Sequence, residues 1–393
     1  MDHNRNLLII SLLLLYNIIT SISATTALPI HDTSNFFVDV FTKGENGYYC
    51  IKIPSLLSIN NTLIAFGEGR LNSCSDFTET HIVYKRSFNG GLNWTTLTVL
   101  HQEPNTVIGN AAPVYDSLTE QIILVFCRNN SEVLITFSSD IGLSWTSPII
   151  IPNVTESNWT WIGTGPPSSL QIYSTNSLYN HRIIVPSYHS YTAGDDGELS
   201  AAHMMYSDDH GISWSYQPHD ISYNLHFPNE NQIVQLPTNT STSSPILYMN
   251  ARGLLTSRIG GYSYDGGYTW SNIHEINGLD QPLGGCEGST YMIPEKNFLI
   301  YSGLSETSIY RYNLTLWYIN ANNIANGMFQ PLMILDSNPS AYSSIASPLL
   351  SLNTTSPSYD IGILYERSNQ TLLIFEPDAI TMIRVPFSLL PDS

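Results

Sequence analysis

The chain has 393 residues, 42% of them apolar and only 12% charged, with a formal net charge of −18. That length can bury a large core, and the acidic balance argues against nucleic acid or an anionic membrane surface as a partner. Four cysteines are too few for a disulfide scaffold, although an oxidising compartment would permit bridges.

Residues 1–24 read as a secretory signal peptide. Arg5 supplies the positive end, Leu7–Leu15 the apolar run, and Ser21-Ile22-Ser23-Ala24 small residues for cleavage. The run is shorter than the ~20 residues a membrane span needs, and no later stretch could cross a bilayer. Export is also suggested by N-x-[ST] sequons at Asn60, Asn93, Asn129, Asn153, Asn158, Asn239, Asn313, Asn353 and Asn369. The expected destination is the secretory pathway, with the protein either secreted or lysosomal.

Residues 25–393 read as one domain. Short β-branched and aromatic runs recur between turn signals at Leu63–Phe66, Ile82–Lys85, Ile122–Phe126, Val133–Phe137, Arg182–Val185, Ile246–Met249, Phe298–Tyr301, Ile361–Leu364 and Thr371–Phe375. No stretch after the leader sustains a helical apolar period. The Pro-bracketed stretch Thr238–Ser244 reads as an exposed insertion within a hairpin, because strands resume on both sides of it.

One octet punctuates these strands four times, as Ser87–Trp94, Ser138–Trp145, Ser207–Trp214 and Ser263–Trp270. Each keeps Ser, then Asp or Asn, then Gly, then Trp at one spacing. The acid or amide can bond backbone N–H groups ahead of it, Gly allows positive φ, and Trp anchors the turn. The octets start about 51, 69 and 56 residues apart, which implies about six supersecondary units. An all-β, six-bladed β-propeller accommodates this repeat better than a sandwich. In the octets Asp140, Asp209 and Asp265 are expected to be turn formers rather than site residues.

The order of further motifs resembles the sialidase (neuraminidase) superfamily, from about Tyr48 to Phe375. It runs through Lys52-Ile53-Pro54, Glu68-Gly69-Arg70 with Asp76, and Asn110-Ala111-Ala112-Pro113-Val114. Gly165-Pro166, Arg182–Pro186, Asn229-Glu230 and Asn250-Ala251-Arg252 follow, then Ala341-Tyr342-Ser343 and Leu364-Tyr365-Glu366. The Arg70-to-Asp76 spacing looks most like animal exo-sialidases. The family fold is a six-bladed propeller, in agreement with the repeat.

The resemblance implies a retaining exo-α-sialidase, a glycoside hydrolase that releases terminal sialic acid from glycoproteins, glycolipids or oligosaccharides. A sialic acid carries a carboxylate on its anomeric carbon. Clustered cations can bind it, and a neutral Tyr escapes the repulsion an Asp or Glu nucleophile would meet. On this match Tyr342 is the nucleophile, Glu230 the base that activates it, and Asp76 the general acid/base. Arg252 and Arg311 match two members of the carboxylate-binding triad. Lys52 stands where the third is normally Arg, and Glu366 matches the carboxylate paired with that first cation. Arg70 matches a basic residue near the ring substituents, and Tyr188 and Tyr191 face the glycerol or acyl groups. Arg258 is the rival to Arg252, and would otherwise face solvent.

Asp76 must be protonated and Glu230 ionised, which places optimal activity at roughly pH 4–6. If the segments of Lys52 and Asp76 border one pocket, Cys50 can pair with Cys74; Cys127 and Cys286 have no such argument. The eleven histidines show no metal-ligand spacing, and the chemistry needs no cofactor. Two other functions remain open. The Lys52 substitution is compatible with a feeble, lectin-like propeller, and transfer of sialic acid to another sugar would require an acceptor platform that the sequence does not locate.

Overall fold

A computed structural model describes residues 36–192, 199–238, 244–350, 359–370 and 375–392. The leader, sequons Asn239 and Asn353, most of the insertion at 238–244 and residues 371–374 of the last expected strand lie outside them. The described chain is all-β, with helical structure limited to three-residue 3-10 turns. No described helix is long and apolar enough to cross a membrane.

The strands form five antiparallel sheets in chain order. The first runs Cys50–Ile59, Thr62–Arg70, Thr80–Ser87, Thr98–His101, and the second Ile108–Asp116, Gln121–Arg128, Glu132–Ser138, Ile149–Ile150. The third centres on Ile183–Ser190 and Ser200–Ser207, flanked by Trp161–Thr164, Leu170–Gln171 and Ser215–Tyr216. The fourth runs from Asn231–Leu236 to Ser271–Asp280, its first hairpin closing across the insertion as expected. The last has seven strands, from Ser289–Ile293 through Phe298–Leu304, Tyr312–Asn320, Gln330–Leu350, Tyr359–Arg367 and Ala379–Pro386 to Phe37–Thr42. Within it the 21-residue strand Gln330–Leu350 pairs by its first part with Tyr312–Asn320 and by its second with Tyr359–Arg367.

Apolar faces of successive sheets pack on one another, so the core is divided among the sheet interfaces. Ile64, Phe66, Ile82 and Tyr84 of the first sheet meet Ile108, Leu124 and Phe126 of the second. Leu56, Leu63 and Val83 meet Leu364, Ile380 and Met382 of the last. Strands enclosed this way, such as Ile183–Ser190, are buried along their whole length, whereas the edge strand Ser271–Asp280 is mostly exposed.

Hydrogen bonds join the innermost strands in a circuit. Leu56 N–H donates to Ser344 Oγ at 2.9 Å, Asn110 N–H to Glu68 Oε1 at 2.8 Å, and Thr164 Oγ1 to Asn110 O at 2.6 Å. Asn231 Nδ2 donates to Ser187 O at 2.8 Å, Thr290 N–H to Gln232 Oε1, and Ile345 N–H to Ser289 Oγ at 2.9 Å.

The octets are turns, as their chemistry requires. In each, the Ser hydroxyl accepts from the Gly N–H at 2.8–2.9 Å, at Gly91, Gly142, Gly211 and Gly267. The Asp or Asn side chain accepts from the N–H four residues on. These glycines have φ between 73° and 96°, and they also touch a neighbouring sheet. A Cβ on Gly142 would meet Ile64, one on Gly211 Phe137, one on Gly267 Met204, and one on Gly91 Met382. Cations reinforce the contact. Arg86 donates to Ile141 O at 3.4 Å, Arg182 to Gly266 O at 3.0 Å, and Arg384 to Gly90 O at 2.7 Å.

Candidate active site

Three irregularities on inner strands aim side chains into one pocket. The pairing of Cys50–Ile59 breaks between Lys52 and Ser55, with Ile53 at φ 53°. The second sheet breaks between Gly109 and Ala112, with Asn110 at φ 58°. The long strand breaks between Ser340 and Ser343, around Tyr342. Such bulges re-aim side chains, and a β-branched residue at positive φ is a strained one. Glu366 secures the first of them, because its Oε1 accepts from Ile53 N–H at 2.7 Å.

Lys52, Arg70, Asp76, Tyr188, Glu230, Arg252, Arg311 and Tyr342 all line this pocket, with Glu68, Asn110 and Trp161 beside them. Tyr342 donates its hydroxyl to Glu230 Oε1. Arg252 Nη1 bridges the pair, 2.9 Å from Glu230 Oε2 and 3.2 Å from Tyr342 Oη. Backbone bonds of 2.8 and 3.1 Å between Glu230 and Arg252 and between Asn229 and Arg252 brace both residues at the mouth of the fourth sheet. The Arg311 guanidinium lies 5.8 Å from the centroid of the Tyr342 ring. Burial, and then the Glu230 carboxylate, push the Tyr342 phenol well above its ordinary range, against the pull of Arg252 and Arg311. That direction favours the neutral phenol, whose hydroxyl proton points at the Glu230 carboxylate.

On the opposite wall, Arg70 is buried and grips two carboxylates. It lies 2.7 Å from Glu68 Oε2 and 2.6 Å from Asp76 Oδ1. Its Nη1 also donates to Cys74 O at 2.5 Å. Asp76 is half-buried. Burial works to raise its carboxyl, but Arg70, Lys52 and Arg252 outweigh that and hold it below the usual range. The expected Cys50–Cys74 disulfide is present, with Cα atoms 5.5 Å apart, and ties the Asp76 loop to the strand of Lys52. Cys127 and Cys286 are free and buried.

Lys52 is 9% exposed. Burial, then Arg70, then Arg311 pull its pKa down, while Glu366 and Asp76 resist. The expected ion pair with Glu366 is not formed. Among the described residues no carboxylate lies within 4 Å of the ammonium; Glu366 holds the backbone of Ile53 instead, and its Oε2 is buried without a partner.

Two further expectations are corrected. Tyr191 does not reach the pocket. Its hydroxyl donates to Asp220 Oδ2 at 2.9 Å and its ring edges His189 at 5.0 Å. Arg258 does not face solvent. It is fully buried, donating to Asn250 Oδ1 at 2.8 Å and Cys286 O at 2.7 Å. Glu68 and Trp161, to which the sequence assigns no role, also line the pocket. Trp161 Nε1 donates to Tyr188 Oη at 3.2 Å, and its ring is edge-on at 6.1 Å to Phe77, which is 71% exposed beside Asp76. Among the described residues no three His, Cys, Asp or Glu side chains converge as a metal-holding group.

A β-propeller with turn-forming Trp octets, and a Tyr–Glu pair facing clustered cations, defines a protein of the sialidase class. The family model described as "BNR repeat-like domain" matches residues 61–348. The chain belongs to that family, within the sialidase superfamily, and resembles its animal-type members. Sialidase-2 of Cricetulus griseus is 24% identical over 367 residues, covering 84% of this chain and 92% of the relative. The leech intramolecular trans-sialidase, solved with 2,7-anhydro-Neu5Ac, superposes with a TM-score of 0.72 at 17% identity, over 93% of this chain and 71% of that one. The intramolecular trans-sialidase of Ruminococcus gnavus gives 0.70 at 16% identity, over 90% and 98%. These structural likenesses concern the fold.

Proposed function

We propose that the protein is a retaining exo-α-sialidase that removes terminal sialic acid from glycoproteins, glycolipids or oligosaccharides. The observation that carries this reading is the Tyr342 hydroxyl bonded to Glu230 with Arg252 bridging both. Arg252, Arg311 and Lys52 would hold the substrate carboxylate. Glu230 takes the Tyr342 proton as Tyr342 Oη bonds to the anomeric carbon. The glycosidic C–O bond breaks, and its oxygen leaves with the proton of Asp76. Asp76 then takes a proton from water, whose oxygen displaces Tyr342, and Glu230 returns the proton to the phenolate. Two displacements give net retention.

Binding the substrate carboxylate also assists the acid. A negative charge among the cations that depress Asp76 raises its pKa, which favours the protonated form that the acid step requires.

We read residues 25–393 as one six-bladed propeller, the seven-stranded sheet counting as two blades that share Gln330–Leu350. Residues 1–24 serve as a leader, and the protein is secreted or lysosomal. Sequons Asn60, Asn93, Asn129, Asn153, Asn158 and Asn369 are exposed, which favours that route. Transfer to an acceptor sugar is the second reading, favoured by the exposed Phe77 beside Trp161 and Asp76. A lectin-like role is the third, and the unpaired Lys52 favours it.

Incubation with a fluorogenic α-sialoside separates enzyme from lectin, and NMR of the first-formed product with and without lactose separates hydrolysis from transfer. Binding without release of the fluorophore would overturn the enzyme reading.

A further inference from the structure

A short segment behind the pocket gathers the residues on which the proposed chemistry depends. Gly284 O accepts from Arg252 Nη2 and Nε at 2.8 and 3.3 Å. Gly285 O accepts from Arg311 Nη2 at 3.3 Å, and Cys286 O from Arg258 Nη1 at 2.7 Å. Glu287 Oε2 accepts from the backbone N–H of Ser343, the residue after Tyr342, at 2.8 Å. Ser289 Oγ accepts from Ile345 N–H at 2.9 Å. One stretch of backbone therefore spaces the carboxylate-binding arginines against the nucleophile.

The local conformation suits this task and little else. Gly284 and Gly285 have φ of 86° and 72°. A Cβ on Gly285 would lie 2.4 Å from Gly253 O and 2.6 Å from Arg252 Cγ, so a side chain there would displace the arginine. Glu287 is 2% exposed, and its second oxygen has no hydrogen-bond partner. A buried carboxyl with so few partners is costly to keep, and its one bond goes to the strand that carries Tyr342. That strand needs it there, because its pairing lapses between Ser340 and Ser343. Burial, and beyond it the nearby Glu230 and Glu366, push Glu287 well above the ordinary carboxylate range, against the Ser343 bond and Arg258. That direction favours the neutral form, which would add no charge beside Glu230.

We propose that residues 284–289 are a positioning element of the active site, in which Glu287 sets the place of the nucleophile strand and Gly284-Gly285 set the places of Arg252 and Arg311. The inference rests on the reading of Tyr342 as nucleophile and of the two arginines as the carboxylate clamp. It predicts that the two ends of one segment control different kinetic constants.

The test is steady-state kinetics of the full chain on a fluorogenic α-sialoside, with thermal unfolding of each variant. Glu287→Leu leaves the Ser343 N–H unpaired and should lower kcat roughly 30-fold with KM within about threefold, since misplacement by ~1 Å can cost about 100-fold. Glu287→Gln restores a neutral acceptor and should recover most of that loss. Gly285→Ala should raise KM about tenfold, more than it lowers kcat. If Glu287→Leu does not fold, Glu287→Asp, one methylene shorter, should still lower kcat selectively. Parental kcat in both Glu287→Leu and Glu287→Asp, a Gln variant no better than Leu, or equal effects of Gly285→Ala on both constants would overturn the inference. An inactive parent would instead remove the sialidase reading on which it rests.

Discussion

Replacing Lys52 by Arg probes the least secured member of the proposed anion clamp. Among the described residues Lys52, 9% exposed, makes no side-chain hydrogen bond or ion pair, and Glu366 Oε2 is buried with no partner. A guanidinium carries five donors in a fixed fork, enough to reach Glu366 and still present N–H groups to a bound carboxylate. One added charge-assisted hydrogen bond is worth about 1.5–3 kcal/mol, or roughly 10- to 100-fold in affinity. Ordering and desolvating the larger side chain offsets part of this, so KM should fall about tenfold while kcat stays within about twofold.

The same variant makes a second, independent prediction. The Lys52 pKa is lowered by burial and then by Arg70 and Arg311. As pH rises through that lowered value the parent loses a cation from the clamp, and KM should climb. Arg keeps its charge, so its KM should stay flat. Initial rates on a fluorogenic α-sialoside from about pH 4 to about pH 9 read both effects. A KM that does not fall in the variant, or alkaline profiles that run parallel, would refute the reasoning.

Tyr342→Phe should lower turnover roughly 10³-fold or more while a sialic acid analogue still binds within about threefold of the parent; calorimetry beside kinetics checks this, and parental turnover would sink the assignment. Because Arg70, Lys52 and Arg252 overcome burial to depress Asp76, kcat/KM should decline about tenfold per pH unit above that lowered pKa, and so already fall across the roughly pH 4–6 range that ordinary carboxylate values suggest. Arg70→Gln removes the largest depressing charge, so this alkaline limb should move to higher pH; a shift to lower pH would contradict the account. The Cys50–Cys74 bridge spans a sequence separation of 24 residues, so Cys74→Ser should cost roughly 3 kcal/mol of stability by loop closure. The freed Asp76 loop should also lower kcat more than it changes KM, as chemical denaturation and kinetics on one preparation would register.

The octets were legible because their chemistry is local: four residues and their immediate backbone make the whole turn. Convergence at the pocket is a long-range property. No periodicity connects Lys52 with Glu366 or Glu230 with Tyr342, and only the ordered sialidase-like motifs brought them together. Some failures had a readable signal. Glu68 is two residues from Arg70 on one strand, so the strand period places both on one face. Tyr188 and Tyr191 are an odd number apart, which already separates them. Other residues gave none. Pro331, Pro339 and Pro348 disguise Gln330–Leu350 as loop, since proline argues against strand. Arg252 and Arg258 differ only in which lies past a strand end and which within one. Glu287 is meaningful solely through Ser343, 56 residues away.

The sheet that completes the circuit is built from both ends of the described chain, Phe37–Thr42 pairing with Ala379–Pro386. Arg384 meanwhile grips the first octet at Gly90. A nascent chain emerging from the ribosome therefore holds Phe37–Thr42 as an unsatisfied edge until Ala379–Pro386 has been made. Contacts of such sequence separation are late and slow to form, and an uncovered edge invites association with other chains. The pocket inherits the same schedule. Lys52 and Glu366 belong to the first and last sheets, so the cationic well is completed where those two meet and not by any one of the sheets that surround it.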